Sequence, residues 1–178
     1  MRKAIPRGLV TWIALLQVFL LTIAFAVPAS AATTSTSSSL LKVLTEYKVV
    51  LGDEKGNLNL EKPITRAEMI TIMVRAVGGE KDVKYFTSLR NFVDVQPNDW
   101  YAGYINYGAA RELVKGDGTG YVRPNDQITW AEALTLLLRV VDREPIGGDW
   151  PTNVLMTAAT LDLVPSGVSM QNINQPAI

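Results

Sequence analysis

Ile64-Thr65-Arg66-Ala67-Glu68 recurs as Ile128-Thr129-Trp130-Ala131-Glu132, and each copy opens a run of apolar residues at helical spacing. A short pattern returning in the same context marks a repeat architecture, and it constrains the fold more than any single element does. The correspondence runs well beyond these pentapeptides. Val50, Gly52, Asp53, Gly56, Thr71, Arg75 and Val77 match Val114, Gly116, Asp117, Gly120, Thr135, Arg139 and Val141 at one offset of about 64 residues, without a gap. A third copy begins at an offset of about 50 residues. Asp149-Trp150 repeats Asp99-Trp100, Ala159 repeats Ala109, Val164 repeats Val114, and the final Ile178 falls where Ile128 stands. The two offsets differ by about the length of segment 79–92, which reads as an insertion between the first and second units. The third unit stops just before its own Thr-x-x-Glu helix would start. Because repeat proteins seldom stop halfway through a unit, the N-terminal portion of a longer protein or a truncated gene is expected.

The first residues have the composition of a targeting segment. Arg2, Lys3 and Arg7 form a basic start, residues 9–27 are uncharged and apolar, and Ala29-Ser30-Ala31 supplies a small-residue cleavage site. A secretory signal cleaved after Ala31 is the expected reading. A retained membrane anchor is the alternative, because the apolar run approaches the ~20 residues that span a bilayer. Either way the remainder is exported, with no membrane contact once the signal is removed. Losing the leader leaves about 14 basic against 17 acidic residues, which excludes a strongly basic nucleic-acid binder. The chain has no cysteine and no histidine, so it lacks a disulfide framework, a thiolate metal site and the commonest general base and metal ligand. No cofactor or metal is expected.

The expected organisation is a leader over 1–31, a flexible Ser/Thr linker over 32–39, a first repeat over 40–79, the insertion over 80–91, a second repeat over 92–143 and an incomplete third over 144–178. Leu40, Leu41, Leu44 and Tyr47 are spaced for one face of a helix. Thr65 and Glu68, and again Thr129 and Glu132, have the spacing of capping boxes. Ala67, Ile70, Val74 and Val77 form the buried stripe of the first capped helix, which Gly78-Gly79 ends. In the second unit Tyr104, Ile105, Gly108, Ala109 and Leu113 read as the inner face of one helix, and Leu134, Leu138 and Val141 of the next. Each unit is thus helix, Gly/Asp loop, short extended piece, helix. No alternation is long enough for a sheet core, so the predicted class is all-α.

Phe92-Val93-Asp94-Val95, Trp100, the loop from Gly116-Asp117 to Gly120, and Ile64-Thr65-Arg66-Ala67-Glu68 together resemble the S-layer homology family over nearly all of residues 40–178. The resemblance implies helix-loop-helix repeats in a pseudo-threefold bundle, here with its third unit incomplete. It implies a secreted, non-enzymatic module at the cell wall or cell surface. Such modules hold exported proteins non-covalently to cell-wall polysaccharide, including secondary polymers bearing pyruvate ketals. A structural role in surface-layer assembly through protein–protein contacts is the alternative. This chain departs from the family pattern in three places. The first unit lacks the aromatic-Asp-Val opening and the Trp, Trp130 stands where the family has Arg, and the third unit has no Thr-Arg-Ala-Glu.

Arg66, Asp53, Trp100, Gly116, Asp117, Arg123 and Trp130 are the candidate glycan contacts. Arg66 lies one residue past its cap, where unpaired helix amides and a guanidinium fork would suit a carboxylate. Pairing with Glu68 or with a carboxylate of another unit is the competing role. Trp130 either stacks on a sugar ring or fills an inter-repeat groove. Trp100 and Trp150 also read as core anchors between units. Glu68 and Glu132 read as capping acceptors rather than as catalytic acids. Asp53 and Asp117 read as turn-forming residues, because their loops lack the alternating oxygen ligands of a calcium site. Arg75 and Arg139 suit the helix dipole late in their helices. No carboxylate pair or nucleophile–base set stands out for an enzyme.

Overall fold

Two threonines start two helices with the same geometry. In the computed structural model, which describes residues 34–53 and 55–178, Thr65 and Thr129 sit in extended backbone at φ/ψ of −79/162° and −83/162°. Each threonine hydroxyl accepts the amide of the glutamate three residues on, and each glutamate carboxylate accepts the threonine's own amide. These are the expected capping boxes, which satisfy donors that a helix start otherwise leaves orphaned. The helices are α1 (Thr34–Glu46), α2 (Arg66–Ala76), α3 (Ala102–Ala110), α4 (Trp130–Val140) and α5 (Thr152–Thr160), with a short 3-10 turn at Val83–Tyr85. Among the described residues the class is all-α, with two isolated β-bridges and no strand. The leader lies outside the described residues.

Helix ends repeat as faithfully as helix starts. Lys48, Gly78, Glu112, Asp142 and Asp162 all take φ between 54° and 76° just past the ends of α1 to α5. After α2, Gly78 N–H bonds to Arg75 O and Gly79 N–H to Val74 O, and after α4 Asp142 and Arg143 do the same to Arg139 and Leu138. This pattern consumes the last free carbonyls and turns the chain sharply. Only one of the five positions is glycine, and it is the one end, Gly78, that the sequence marked.

The units meet at a ring of backbone hydrogen bonds. Ile64 N–H donates to Ala177 O (3.4 Å), Ala177 N–H to Ile128 O (2.8 Å), and Ile128 N–H to Ile64 O (3.0 Å). Ala177, not Ile178, therefore occupies the place of Ile64 and Ile128. The third arm is one residue shorter than an offset read from α5 implies, and nothing in its sequence marks the lost residue. Ile128 and Ala177 are buried at the centre. Around the ring, α2 packs on α3 and α4 on α5, so each prong joins the second helix of one unit to the first helix of the next. Fully buried Met69, Ile70, Met73, Ile105, Leu134, Leu137, Leu138 and Ile173 fill the space between.

Three expectations need correction. The Ser/Thr tract is helical from Thr34, as a forward extension of the Leu40-to-Leu44 segment; serine and threonine cost a helix only about half a kcal/mol each. Tyr47 lies past the end of α1 and is exposed, while Leu44 and Val49 take the core positions. On α3, Asn106 and Tyr107 are buried, whereas Tyr104 and Ala109 are half-buried, as is Leu113 just past its end.

The insertion explains that shift of face. Asn106 Nδ2 donates to the carbonyls of Phe86 (3.1 Å) and Leu89 (2.8 Å), so the inserted chain is pinned to α3. Phe86 meets the Tyr107 ring edge-on at 5.3 Å. Gly103 lets the backbone approach closely, since a Cβ there would lie 2.6 Å from Val83 O. Arg75, Tyr104 and Glu80 close the other side through hydrogen bonds of 2.7–3.2 Å. Replacing Asn106 with Ala strands two carbonyls, and we expect a loss of about 2–3 kcal/mol in urea denaturation. An unchanged midpoint would show that water replaces the amide freely.

Candidate functional site

Each Gly/Asp loop is stapled by its own aspartate. Asp53 Oδ1 accepts the amides of Lys55 and Asn57, both at 2.9 Å, and its other oxygen accepts the side-chain amides of Asn57 and Asn59. Asp117 Oδ1 accepts the Thr119 amide (2.9 Å), the Thr119 hydroxyl (2.7 Å) and the Tyr121 amide (3.3 Å). The Asn57 amide at Asp53 and the Thr119 hydroxyl at Asp117 lead the hydrogen bonds that hold both carboxyls below their ordinary 3.8. Gly116 must be glycine, with φ of 69° and Tyr121 O only 2.7 Å from where a Cβ would stand.

One residue that sequence reasoning quoted without a role proves central to the second arm. Asp94 accepts the backbone amides of Val122 (3.1 Å) and Arg123 (2.7 Å). This clamp fixes the turn at Arg123, whose φ is 53°. An acidic residue between buried Phe92 and Val95 was the available signal, because a carboxylate held beside apolar neighbours needs nearby donors.

Two clefts lie between units, each bordered by a Gly/Asp loop, the second helix of that unit and a tryptophan of the next. The first, of about 470 Å³, has Asp53, Thr71, Ile72, Arg75 and Trp100 on its walls, with Leu41, Leu58 and Ile178 making it largely apolar. The second, of about 370 Å³, is lined by Arg66, Lys115, Gly116, Asp117, Arg123, Glu132, Thr135, Arg139 and Trp150. Arg66 therefore serves the second unit's cleft rather than its own. It is only 8 % exposed. Its Nε donates to Val122 O (2.7 Å), and its Nη1 pairs with Glu132 Oε1 (2.8 Å). The helix amides expected to be free beside it are taken, since Arg66 N–H bonds to Asp126 O and Ala67 N–H to Pro124 O, both at 2.9 Å. The neighbouring arm caps this helix end, so charge in the cleft comes from side chains.

Arg123 reaches the same carboxylate, with Nη2 at 2.7 Å from Glu132 Oε1. Burial pushes the Glu132 carboxyl up, but the Thr129 amide and the Arg66 and Arg123 guanidiniums together outweigh it and hold the group below its ordinary 4.5. A carboxyl depressed by folding adds stability above its unfolded pKa and loses it as pH falls through the folded value. Wild-type stability should therefore decline as pH drops below about 4.5, and Glu132→Gln should flatten part of that decline in thermal melts at stepped pH. Identical pH profiles would refute this coupling. Burial also lowers the Arg139 pKa, and its Nη1 donates to Leu113 O at 3.1 Å.

Two tryptophans expected as core anchors lie at the surface, and Trp130 takes the buried one of its two readings. Trp100 and Trp150 are 60 % and 54 % exposed at the cleft rims, so neither anchors the core. Tyr101, only 6 % exposed, fills the buried position beside Trp100 and meets it edge-on at 5.3 Å. Trp150 Nε1 donates to Thr135 Oγ1 across the second cleft at 3.3 Å. Trp130, by contrast, is 6 % exposed and presents no open ring face. Gly116, Asp117, Arg66 and Arg123 thus share one cleft, Asp53 and Trp100 share the other, and Trp130 joins neither.

Residues 41–70 and 91–134 match the family model for the S-layer homology domain. The chain is 34 % identical over 155 residues to the Middle cell wall protein of Brevibacillus brevis, an alignment covering 84 % of this chain and 15 % of that one. It is likewise 34 % identical over 136 residues to the Surface layer protein of Brevibacillus choshinensis, covering 76 % of this chain and 12 % of the relative. The Cellulosome-anchoring protein of Acetivibrio thermocellus is 27 % identical over 108 residues, covering 61 % of this chain and 24 % of its own. The chain thus spans a small part of each relative's length. The recurring capping boxes, the stapled Gly/Asp loops and these matches place it in one family: the chain belongs to the S-layer homology family.

Proposed function

We propose that this chain is an exported, non-enzymatic module that attaches at the cell surface by binding cell-wall polysaccharide in its inter-unit clefts. The observation that carries the reading is the meeting of Arg66, Arg123, Arg139 and the exposed Trp150 in one cleft. Guanidinium forks recognise carboxylates in two-point geometry, and an indole face suits the apolar side of a sugar ring. An acidic sugar, such as one bearing a pyruvate ketal, combines both features. The apolar first cleft, with Trp100 at its rim, suits a neutral sugar of the same polymer. The names of the relatives speak of cell wall, surface layer and anchoring, which supports the same role here. Asp53, Gly116 and Asp117 hold the loops that shape the clefts, while the Thr65–Glu68 and Thr129–Glu132 caps fix the helices behind them.

Sedimentation with purified cell-wall sacculi tests this reading. Mature protein should pellet with intact sacculi and stay soluble when the secondary polymer has been stripped. Equal pelleting with both preparations would overturn it. Concentration-dependent oligomers indifferent to sacculi would instead indicate assembly through protein contacts.

A further inference from the structure

In the second cleft two guanidinium groups converge on a single atom. Arg66 Nη1 lies 2.8 Å and Arg123 Nη2 2.7 Å from Glu132 Oε1. That oxygen stands at the meeting point of two planar donor forks, where a ligand carboxylate would gain most. The other oxygen of Glu132 is committed elsewhere, accepting the Thr129 amide at 3.0 Å to cap α4. The two halves of one carboxylate therefore do separate work.

The first unit shows that capping does not require the ion pairs. Glu68 caps α2 in the same way, with its Oε2 at 2.6 Å from the Thr65 amide. Among the described residues Glu68 enters no ion pair, and Asn59 takes the left-handed arm position that Arg123 occupies in the second unit. Four cations and two carboxylates line the second cleft, and Asp117 spends its Oδ1 on its own loop. Asp126 pairs with Arg123 alone, at 3.6 Å, so Glu132 is the acidic group that faces both arginines.

We propose that Glu132 is an internal competitor, the cleft's own anion, which holds the two-arginine position in the free protein and is displaced by an acidic group of the bound polymer. The inference rests on the anion-binding reading of this cleft given above. Its physical content is that an incoming carboxylate meets a like charge a few ångströms away and must exchange with it. Affinity for each acidic group is therefore attenuated, attachment is reversible, and a ligand must offer a two-point fit to both guanidiniums to succeed. Glu132→Gln removes the competing charge yet keeps an amide oxygen for the capping box, which accepts Gln as readily as Glu.

Isothermal titration of the mature protein with sodium pyruvate, a small carboxylate probe, provides the test. Removing a like charge so close to the ligand site should tighten pyruvate binding about ten-fold in Glu132→Gln at moderate salt. Unchanged or weaker binding, or no binding to either protein, would overturn the proposal. A second measurement needs no variant: the side-chain carboxyl carbon resonance of Glu132 in the wild type should move as pyruvate saturates the cleft. A resonance that stays in place while pyruvate binds would equally overturn it. Sedimentation with sacculi, run in parallel, reports separately on the wall-binding role. Loss of that role with a surviving pyruvate response would reject anchoring and keep the competitor.

Discussion

Removing residues 173–178 should cost the protein about 5 kcal/mol and lower its melting temperature by roughly 15 °C, the largest stability effect expected of any short deletion. The segment looks peripheral, yet Ile173 and Ala177 are 0 % and 2 % exposed. Burying an isoleucine fully is worth about 1.5–3 kcal/mol. The segment also caps α4, since Trp130 N–H bonds to Gln175 O (3.1 Å) and Ala131 N–H to Ile173 O (2.8 Å). Each bond adds about 1 kcal/mol, and the loss of Ala177 opens the central ring as well. Against a total stability of about 5–15 kcal/mol, such a deletion leaves little in reserve. Calorimetry on the shortened chain measures it directly, and a midpoint within a few degrees of wild type would contradict the ring as a structural keystone.

Arg66→Ala should have the largest effect on wall binding, and it acts in two ways that one assay would confuse. The substitution strands Val122 O and takes one of two cations from Glu132. Breaking a buried, hydrogen-bonded pair costs about 3–5 kcal/mol, here at the lower end because Arg123 still holds Glu132. It also removes one of the two forks offered to an acidic sugar, for which a loss of roughly ten- to hundred-fold in affinity is expected. Measuring sacculus binding well below the variant's melting temperature separates the two effects. Arg66→Lys sharpens the test, because a point charge on a flexible stem cannot bond Val122 O and Glu132 in one planar arrangement. Lysine that restores binding in full would show that charge alone matters, and would rule out a two-point geometry.

Local grammar was legible in the sequence, and inter-unit geometry was not. Thr65, Glu68, Thr129 and Glu132 announced their helices because capping chemistry acts within four residues. Asp53 and Asp117 announced their turns for the same reason. The register of the third arm was hidden, because Ala177 is placed by hydrogen bonds to Ile64 and Ile128, which are remote in sequence. Arg66 was singled out correctly as sitting at a helix start. Its competing role, pairing with a carboxylate of another unit, is filled by Glu132, whereas the capping of its amide by Asp126 O depends on how one unit docks on another. The tryptophans mislead for a further reason. Large aromatic residues usually bury, but Tyr101 next to Trp100 already fills the available space. Glu132 was read as a cap, which it is, and its second oxygen carried the role that a one-dimensional motif does not encode.

The central ring has a consequence for the order in which the molecule can form. Ile64 and Ala177 are roughly 110 residues apart, so the contact that closes the bundle is among the most distant in sequence that the chain can make. α2 and α4 can begin as capped local helices, but the capping of α4 by Gln175 and Ile173 waits for the last arm. The first two units can dock on each other before the last arm exists, through Ile128 N–H to Ile64 O, Arg66 N–H to Asp126 O and Ala67 N–H to Pro124 O, and residue 177 then closes the ring. The last arm thus locks two units that are already docked and completes the cap of α4, rather than starting their assembly.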